Sequence, residues 1–394
     1  MFHIAKPLTA TLLLSGLAAP SFAAPVLIAD ARARFEMVES EAFSQKAQAA
    51  TMRLRLGAEF ALTNKFTALI EASHTRPLGA QDYNSTVNGK GAFPVIADPK
   101  STRLNRLQLS FSPLDGIHAT VGRQRLILQD ARFIGNVGFR QQEQTFDAVK
   151  LTANMVENVA LTYVYLAQAN RIFGSKSSMG SHDLNGHVIE ASYKTGIGLA
   201  VTGFFHDIEN EDAAVLSLKT YGGRVNGTIA VSDGLKLLVD GAYASQRDTG
   251  NNSMNRSHDF SRLVLGATQN GFVIKGGFEQ LTGNGTTAFA TPLATGHKFQ
   301  GFADMFLGTP PMGLKDRFLT LAYKGDALHG VKPMVTYHDF KSETGGMEYG
   351  SELDVVLTYK ATGQITLQAK YANYQSDGFG VDTQKLWLAV TFKP

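Results

Sequence analysis

Apolar and polar side chains alternate along most of this chain. In one segment Met52, Leu54 and Leu56 fall on one face of an extended backbone, whereas Arg53 and Arg55 fall on the other. Successive side chains of a β-strand point to opposite faces of the sheet, so a period of two identifies strands with one apolar and one polar face. The pattern therefore predicts an all-β chain.

The alternation recurs in about 18 segments after residue 24, a strand number that suits a transmembrane barrel. The predicted strands lie near residues 27–37, 51–63, 66–75, 103–112, 118–128, 146–153, 159–169, 186–195, 198–206, 219–231, 235–246, 259–268, 272–281, 316–324, 332–340, 351–361, 364–375 and 385–392. The chain also contains 39 glycines and 10% aromatic residues, a composition typical of many strands joined by turns.

Short and long connections alternate between these strands. Short ones such as residues 232–234 and 269–271 carry Gly, Asn and Asp, which supply the positive φ of tight hairpins. The long connections lie near residues 76–102, 129–145, 170–185, 207–218, 247–258, 282–315, 341–350 and 376–384. This alternation is typical of an antiparallel up-and-down barrel in an outer membrane, where short turns face the periplasm and long loops face outward.

A closed sheet is also what a lipid environment requires. Lipid cannot hydrogen-bond a peptide group, so every strand edge must be paired with another strand. An even strand number places both termini at the short-turn side of the barrel. We therefore predict a transmembrane antiparallel up-and-down β-barrel of about 18 strands.

Two of the long loops are not composed like free loops. Residues 129–145 contain Phe133 and Phe139, and residues 282–315 contain further phenylalanines such as Phe299. Apolar side chains in a loop favour burial. We expect at least one of these loops to fold into the lumen and narrow it. The alternative is an external lid that packs on its neighbours.

The N-terminal residues have the pattern of a secretory signal peptide. A short basic start ending at Lys6 precedes an apolar stretch, and the small-x-small sequence of residues 21–23 precedes Ala24. The apolar stretch is shorter than the roughly 20 residues that a membrane-spanning helix needs. We therefore predict a signal peptide at residues 1–23 and a barrel at residues 24–394.

Charge and cysteine content exclude several kinds of function. Removal of residues 1–23 leaves 36 basic and 34 acidic residues, and a balance so close to neutral argues against nonspecific nucleic-acid binding. The chain has no cysteine, so disulfides, thiolate catalysis and Cys-based zinc sites are excluded. We expect no cofactor and no metal site.

Arginine is concentrated on the polar faces of the first strands and in the loop that follows them. The candidate pore-lining residues are Arg32, Arg34, Arg53, Arg55, Arg106, Arg123, Arg125, Arg132 and Arg140, and the candidate acidic partners are Glu59, Glu71, Asp130, Glu143 and Asp147. Guanidinium groups stay charged and pair bidentately with carboxylate or phosphate, so a ladder of them would guide an anion through a pore. The alternative is that the arginines brace the barrel by pairing with the acids.

Three stretches resemble the alginate-export family of outer-membrane porins. They are residues 121–147 (VGRQRLILQDARFIGNVGFRQQEQTFD), 292–304 (PLATGHKFQGFAD) and 349–354 (YGSELD). The resemblance implies an 18-stranded barrel with an arginine-rich pore that favours anionic polysaccharide. It places the arginine-rich motif of the family on Arg123, Arg125, Arg132 and Arg140.

The leading hypothesis is a diffusion channel in the outer membrane of a Gram-negative bacterium for anionic solutes such as uronate-containing sugars. Its expected partners are outer-membrane lipid, the anionic solute and the barrel-assembly machinery, because the last strand ends in the aromatic residue Phe392. One alternative is a barrel enzyme that hydrolyses lipid or peptide, which needs a Ser–His or acid–His group at the outer rim. The chain carries no HExxH or GxSxG motif. A second alternative is a soluble exported β-protein.

Overall fold

The computed structural model describes residues 24–394, so the predicted signal peptide lies outside the described residues. The strands are Val26–Ser40 (β1), Ala47–Ala61 (β2), Phe66–Asp82 (β3), Ser101–Phe111 (β4), Ile117–Gln124 (β5), Thr145–Ala153 (β6), Val159–Asn170 (β7), Ser181–Lys194 (β8), Leu199–Asn210 (β9), Leu218–Ser232 (β10), Leu235–Asp248 (β11), Ser257–Gln269 (β12), Phe272–Leu281 (β13), Leu314–Tyr323 (β14), Val331–Lys341 (β15), Glu348–Lys360 (β16), Ile365–Ser376 (β17) and Thr383–Phe392 (β18). Short 3₁₀ turns lie at Ala214–Leu216 and Gly296–Lys298. None of the helices in this part of the chain has the length and apolar character needed to cross a membrane.

The strands form one closed antiparallel barrel. Each strand pairs with its neighbours in the sequence, and β1 pairs with β18 from Ala31–Phe392 to Ser40–Thr383. Closure leaves no unpaired sheet edge within residues 24–394, which confirms the predicted 18-stranded all-β barrel. Short turns and long loops lie at opposite ends, called here the short-turn end and the long-loop end.

Some strands differ in length from the predicted segments. Strand β3 continues to Asp82, although residues 76–82 read as loop. The ladder with β2 passes an irregularity where Ala49 faces Gln81 and Thr51 faces Pro77. A proline at a bulge keeps its missing N–H out of the ladder, so the strand resumes beyond it. Because of Pro77, the sequence pattern predicted a loop where the second half of β3 lies.

The two faces of the barrel differ in the way the alternation predicts. Outward side chains are apolar and exposed over the middle of the strands, as at Leu56, Ile70, Leu107, Leu265 and Leu319. Inward positions instead carry many buried charged and polar groups. The interior of this barrel is thus lined by polar and charged groups together with apolar clusters, and loops fill it.

Two long loops fold into the lumen: L3 (residues 125–144) and L7 (residues 282–313). In L7, Phe306 has its ring 4.5 Å from that of Phe340 on the inner wall. In L3, Phe133 has its ring 5.5 Å from Phe260 of β12 and 6.1 Å from Phe289 of L7. The prediction of inward-folded long loops is therefore confirmed for both, and the external-lid alternative is wrong.

Candidate functional site

Four arginines of β1 and β2 lie on one patch of the inner wall. The antiparallel register places Arg32 directly opposite Arg53, while Arg34 lies opposite Thr51 and Arg55 opposite Asp30. Alternation puts all four side chains on the same inward face. Three of them, Arg34, Arg53 and Arg55, are buried.

L3 crosses this arginine patch and is held by it. Arg32 donates from Nε to Gln141 Oε1 at 2.9 Å and from Nη1 to the Gly138 carbonyl at 3.2 Å. Arg34 donates from Nη1 to the Phe139 carbonyl at 2.7 Å. Backbone carbonyls that a loop would otherwise leave unpaired are satisfied in this way. The wall arginines therefore fix the path of L3.

A buried ionic network joins β1 to three loops. Arg140 of L3 lies 3.0 Å from Glu36 and 3.5 Å from Asp304 of L7. Arg34 pairs with Glu36 at 2.9 Å and with Asp98, which belongs to the loop between β3 and β4. Burial alone would raise the pKa of Asp98, but the charges of Arg34 and Arg140 bring it below its usual value. The Asp98 carboxylate is thus held ionised, and the ion pairs of this network brace the interior.

Glu143 at the end of L3 is the centre of a second network. Arg125 donates from Nε to Oε2 at 2.7 Å and from Nη2 to Oε1 at 2.5 Å. Arg55 Nη1 lies 3.4 Å from Oε1, and Asn105 donates to the same oxygen at 2.6 Å. Burial opposes ionisation of Glu143, but the hydrogen bonds and charges of these neighbours lower its pKa to about 2.

A cavity of about 400 Å³ lies between L3 and the wall, and it is called here the arginine cavity. The charged side chains that line it are Arg32, Arg34, Arg53, Arg55, Arg125, Lys393, Asp30 and Glu143. Six cations against two carboxylates leave an excess of four positive charges. The cavity also contacts Thr366 near the start of β17, so it extends toward the short-turn end.

Several guanidinium donors at this cavity are buried without a hydrogen-bond partner among residues 24–394. They are Nε of Arg34, Nε of Arg53, and both Nε and Nη2 of Arg55. A buried donor without a partner is costly, and an anion in the cavity would offer the missing acceptor. The arrangement is therefore chemically suited to bind a carboxylate or another oxyanion.

The remaining predicted residues are distributed over other parts of the interior. Arg106 forms a bidentate pair with Glu71, at 3.1 Å from Nε and 2.7 Å from Nη2. Arg132 of L3 donates from Nε to Glu279 of β13 at 2.9 Å, on another part of the wall. These arginines, like Arg140, are tied to acids of the wall and act as braces.

The structure contradicts the inward placement of Arg123 and Asp147. Arg123 lies opposite Leu107 and Asp147, and Leu107 is an outward side chain with 51% exposure. Arg123 donates from Nε to Asp147 Oδ1 at 2.7 Å and from Nη2 to Oδ2 at 2.8 Å on this outer face. Arg123 shares the outward face with Val121, because the alternation along β5 is regular, whereas Leu126 and Leu128 lie beyond the end of the strand. Both residues are therefore removed from the predicted pore lining.

Two predicted acids lie away from the arginine cavity. Glu59 is on the inward face of β2, but it lies opposite Val26 at the short-turn end and is exposed. Asp130 of L3 pairs with Arg262 at 2.6 Å and with Arg224 at 3.2 Å on the wall formed by β10 and β12. Within residues 24–394 neither acid forms an ion pair with the arginines that the sequence suggested, although the Arg132 backbone N–H donates to Asp130 Oδ1 at 3.3 Å.

Arg224, Arg262 and Lys393 were missed by the sequence reasoning. Arg224 donates from Nε to Asp240 at 2.8 Å, and Arg262 lies 3.1 Å from the same carboxylate. Arg224 lies between Gly223 and Val225 in its strand, and this alternation could have identified it, whereas Arg262 follows the polar Ser261 and has a weaker signal. Among the described residues, no group of three His, Cys, Asp or Glu side chains is arranged to hold a metal ion.

The geometry defines a class of protein: a closed 18-stranded barrel with two inward loops and a cationic cavity in its lumen. Solved structures share this fold. The chain is similar to Pseudomonas aeruginosa OccK9 (OpdG), with a TM-score of 0.73 and 15% identity over 94% of this chain and 98% of that one. It is similar to Acinetobacter baumannii OccAB3, with a TM-score of 0.70 and 14% identity over 93% of this chain and 99% of that one. For P. aeruginosa OpdK with vanillate the TM-score is 0.71, with 14% identity over 93% of this chain and 98% of that one.

These similarities establish the fold as that of the 18-stranded Occ and Opd outer-membrane porins. At such low identity they establish nothing finer than the fold. No protein-family model matches the chain, and no curated protein matches it. The resemblance to the alginate-export family therefore stays a prediction.

Proposed function

We propose that this protein is an outer-membrane channel for small anionic solutes, with carboxylates such as uronate-type sugars as the substrate class. The observation that carries the proposal is the arginine cavity, with its excess of four positive charges and its free guanidinium donors. Its volume of about 400 Å³ is within the range of small-molecule sites. A small carboxylate or a few uronate units fit this size better than a long polymer.

The arginines of the lumen divide into two roles. Arg106, Arg132 and Arg140 pair with buried acids and brace the wall and the loops. Arg53 and Arg55 line the cavity and have buried guanidinium nitrogens without a partner among residues 24–394, so we expect a solute to pair with them. Selective pores bind an ion strongly enough to admit it and weakly enough to release it. An arginine whose charge is shared between a wall or loop acid and the solute would meet both requirements, and Arg53 with Asp30 and Arg55 with Glu143 are such arginines.

The fold relatives support the substrate class by analogy. OpdK has been solved with vanillate, which is a carboxylate. The alginate-export resemblance points to uronates, which are carboxylates too. Both sources agree on the functional group that a guanidinium recognises.

Little in the described residues favours the alternative of a barrel hydrolase. A Ser–His pair does occur, with Ser112 Oγ 2.8 Å from His118 Nδ1, but it lies at the short-turn end. Within residues 24–394 no acid hydrogen-bonds this histidine to orient it as a catalytic base. We therefore propose no second function.

Ion selectivity in planar bilayers tests the proposal. The purified wild-type protein should prefer chloride over potassium in a KCl gradient, and Arg55→Gln should reduce this preference because it removes a cavity charge. Arg123→Gln removes the same charge from the outer face and should leave selectivity unchanged. A cation-selective wild-type channel, or equal effects of the two variants, would contradict the proposal.

A blocking experiment identifies the solute class. Glucuronate should interrupt the current in a concentration-dependent way, whereas glucose, which has the same ring without the carboxylate, should not. A tetra-uronate tests whether the polymer enters. Equal effects of glucuronate and glucose would exclude recognition of the carboxylate.

A further inference from the structure

A second cationic site lies outside the lumen, at the long-loop ends of β3 and β4. It is a groove of about 590 Å³, called here the rim groove, and its polar lining includes His74, Arg76, Gln81, Asn88, Lys90 and Lys100. The network of the lumen does not include this groove.

The register shows that the groove faces away from the lumen. His74 lies opposite Leu54, and Arg76 lies opposite Met52, which are both outward positions of β2. The residue between them, Thr75, is buried and lies opposite the inward Arg53. His74 also lies 2.7 Å, from Nδ1, from Thr102 Oγ1 on the outward face of β4. The basic side chains therefore project from the outer wall.

The height of the groove along the barrel is equally informative. Farther from the long-loop end, the same outward face of β3 and its neighbours carries Ile70, Leu56 and Leu107, all exposed. An apolar band of this kind marks the hydrocarbon layer in outer-membrane barrels. The rim groove begins where the apolar band ends, which is the level of the lipid headgroups on the long-loop side.

The groove has more cationic than acidic side chains. Arg76 and Lys100 are exposed, and neither forms an ion pair with any residue in the described range 24–394. Lys90 Nζ lies 3.4 Å from Asp82, a weak and exposed pair. A guanidinium, two ammonium groups and an imidazole side by side form an arrangement that suits a phosphate ester.

We propose that the rim groove binds the phosphate of a phosphorylated glycolipid in the outer leaflet of the membrane. The apolar band beside it would contact the acyl chains of the same lipid, so one molecule would satisfy both surfaces. The inference requires that the barrel lies in an outer membrane, but it does not depend on which solute the lumen admits.

Binding of a defined lipid tests the proposal. Bis-phosphorylated lipid A would be added to the detergent-solubilised full barrel, and bound lipid would be counted by native mass spectrometry. The double variant Arg76→Gln/Lys100→Gln should weaken binding, by about fivefold for each charge removed. The control variant Lys65→Gln/Lys324→Gln removes two exposed charges at the short-turn end and should bind lipid A like the wild type.

Competing ligands separate the sources of the phosphate. Dephosphorylated lipid A should bind weakly, which would support recognition of the phosphate. Millimolar inorganic phosphate should not displace lipid A, because it lacks the acyl chains. Full displacement by inorganic phosphate would mean a site for free anions, and preferential binding of a soluble acidic polysaccharide would mean a carbohydrate site. Either result, or equal loss in the control variant, would overturn the proposal.

This test is independent of the transport proposal. Single-channel selectivity of Arg76→Gln/Lys100→Gln should equal that of the wild type, since neither residue lines the arginine cavity. An unchanged current also shows that the variant is folded. If the barrel bound lipid A but showed no anion preference, the proposed lipid site would stand and the proposed anion channel would be wrong.

Discussion

Glu143 connects the arginine cavity to the loop that covers it. Its carboxylate receives donors from Arg125, Asn105 and Asn136, and Arg55 lies close by. The removal of one partner from a buried ion pair leaves uncompensated charge in a place that water does not reach. This residue should therefore affect both the stability of the barrel and the charge of its cavity.

The substitution Glu143→Gln should destabilise the protein and make the channel more anion-selective. The free energy of unfolding should fall by about 3 kcal/mol, because Arg55 and Arg125 lose their shared counter-charge. Urea unfolding in detergent micelles and the reversal potential in a KCl gradient measure the two effects. Glu157→Gln, at an exposed turn, is the matched control. A Glu143→Gln protein as stable as this control would contradict the role given to Glu143.

The lowered pKa of Glu143 predicts how L3 responds to acid. Its pKa falls from an ordinary 4.5 to about 2, so in this range the free loop binds a proton that the docked loop does not. The stabilisation is therefore complete above pH 4.5 and is lost as the pH falls toward 2. Open-channel current noise should stay low at pH 5 and rise near pH 2. In Glu143→Gln the current noise should be high at both pH values. If the noise of the wild-type channel rose already above pH 5, a group other than Glu143 would be responsible.

L3 and L7 are in close backbone contact at Gly135. Its N–H donates to the Leu293 carbonyl at 2.9 Å, and a Cβ at this position would lie 2.6 Å from the Ala131 Cβ and 3.1 Å from the Thr295 backbone nitrogen. Backbone and short side chains cannot give way as a long flexible side chain can. The two loops therefore behave as one unit inside the lumen.

The substitution Gly135→Ala should separate the two loops. We expect a destabilisation of about 1–3 kcal/mol from overpacking and a larger, noisier single-channel conductance. Gly196→Ala, where nothing lies within 4 Å of the added Cβ, should leave conductance and stability unchanged. A quiet channel of unchanged conductance in Gly135→Ala would mean that the contact does not limit the pore.

Features that depend on residues close together in the sequence could be predicted, whereas features that depend on distant residues could not. Alternation and turn residues are local, so the strand number and the order of short and long connections could be predicted. The side occupied by Arg123 depends on where β5 ends, because Leu126 and Leu128 of the following loop suggest the opposite parity from Val121 of the strand. The pairing of Asp130 with Arg262 depends on the path of a loop across the lumen. Interactions that span 132 residues leave no periodic signal in the sequence.

At the scale of the whole molecule, the long loops supply counter-charges to the wall. Asp98, Asp130, Glu143 and Asp304 each belong to a loop and pair with cations that include the wall residues Arg34, Arg262, Arg55 and Lys385. The barrel wall alone would hold repelling arginines in a confined space. The loops neutralise part of that charge, and the part left over at the arginine cavity is available to a solute.

We propose that strand β18, which closes the barrel, also serves as a signal for its assembly, and Phe392 tests this proposal. This side chain is outward, exposed and paired with Ala31 where β18 meets β1. We expect barrel-assembly machinery to read this terminal aromatic strand, so Phe392→Ala should lower the amount of folded barrel in cellular outer membranes several-fold. Folding in detergent should be unaffected, because the side chain contributes little buried surface. Phe272→Ala removes another exposed outward phenylalanine, at the short-turn end of β13, and should assemble normally. The change in gel mobility on heating of membrane fractions measures the amount of folded barrel for both variants. Equal losses in the two variants would mean that surface hydrophobicity in general, and not the last strand, causes the effect.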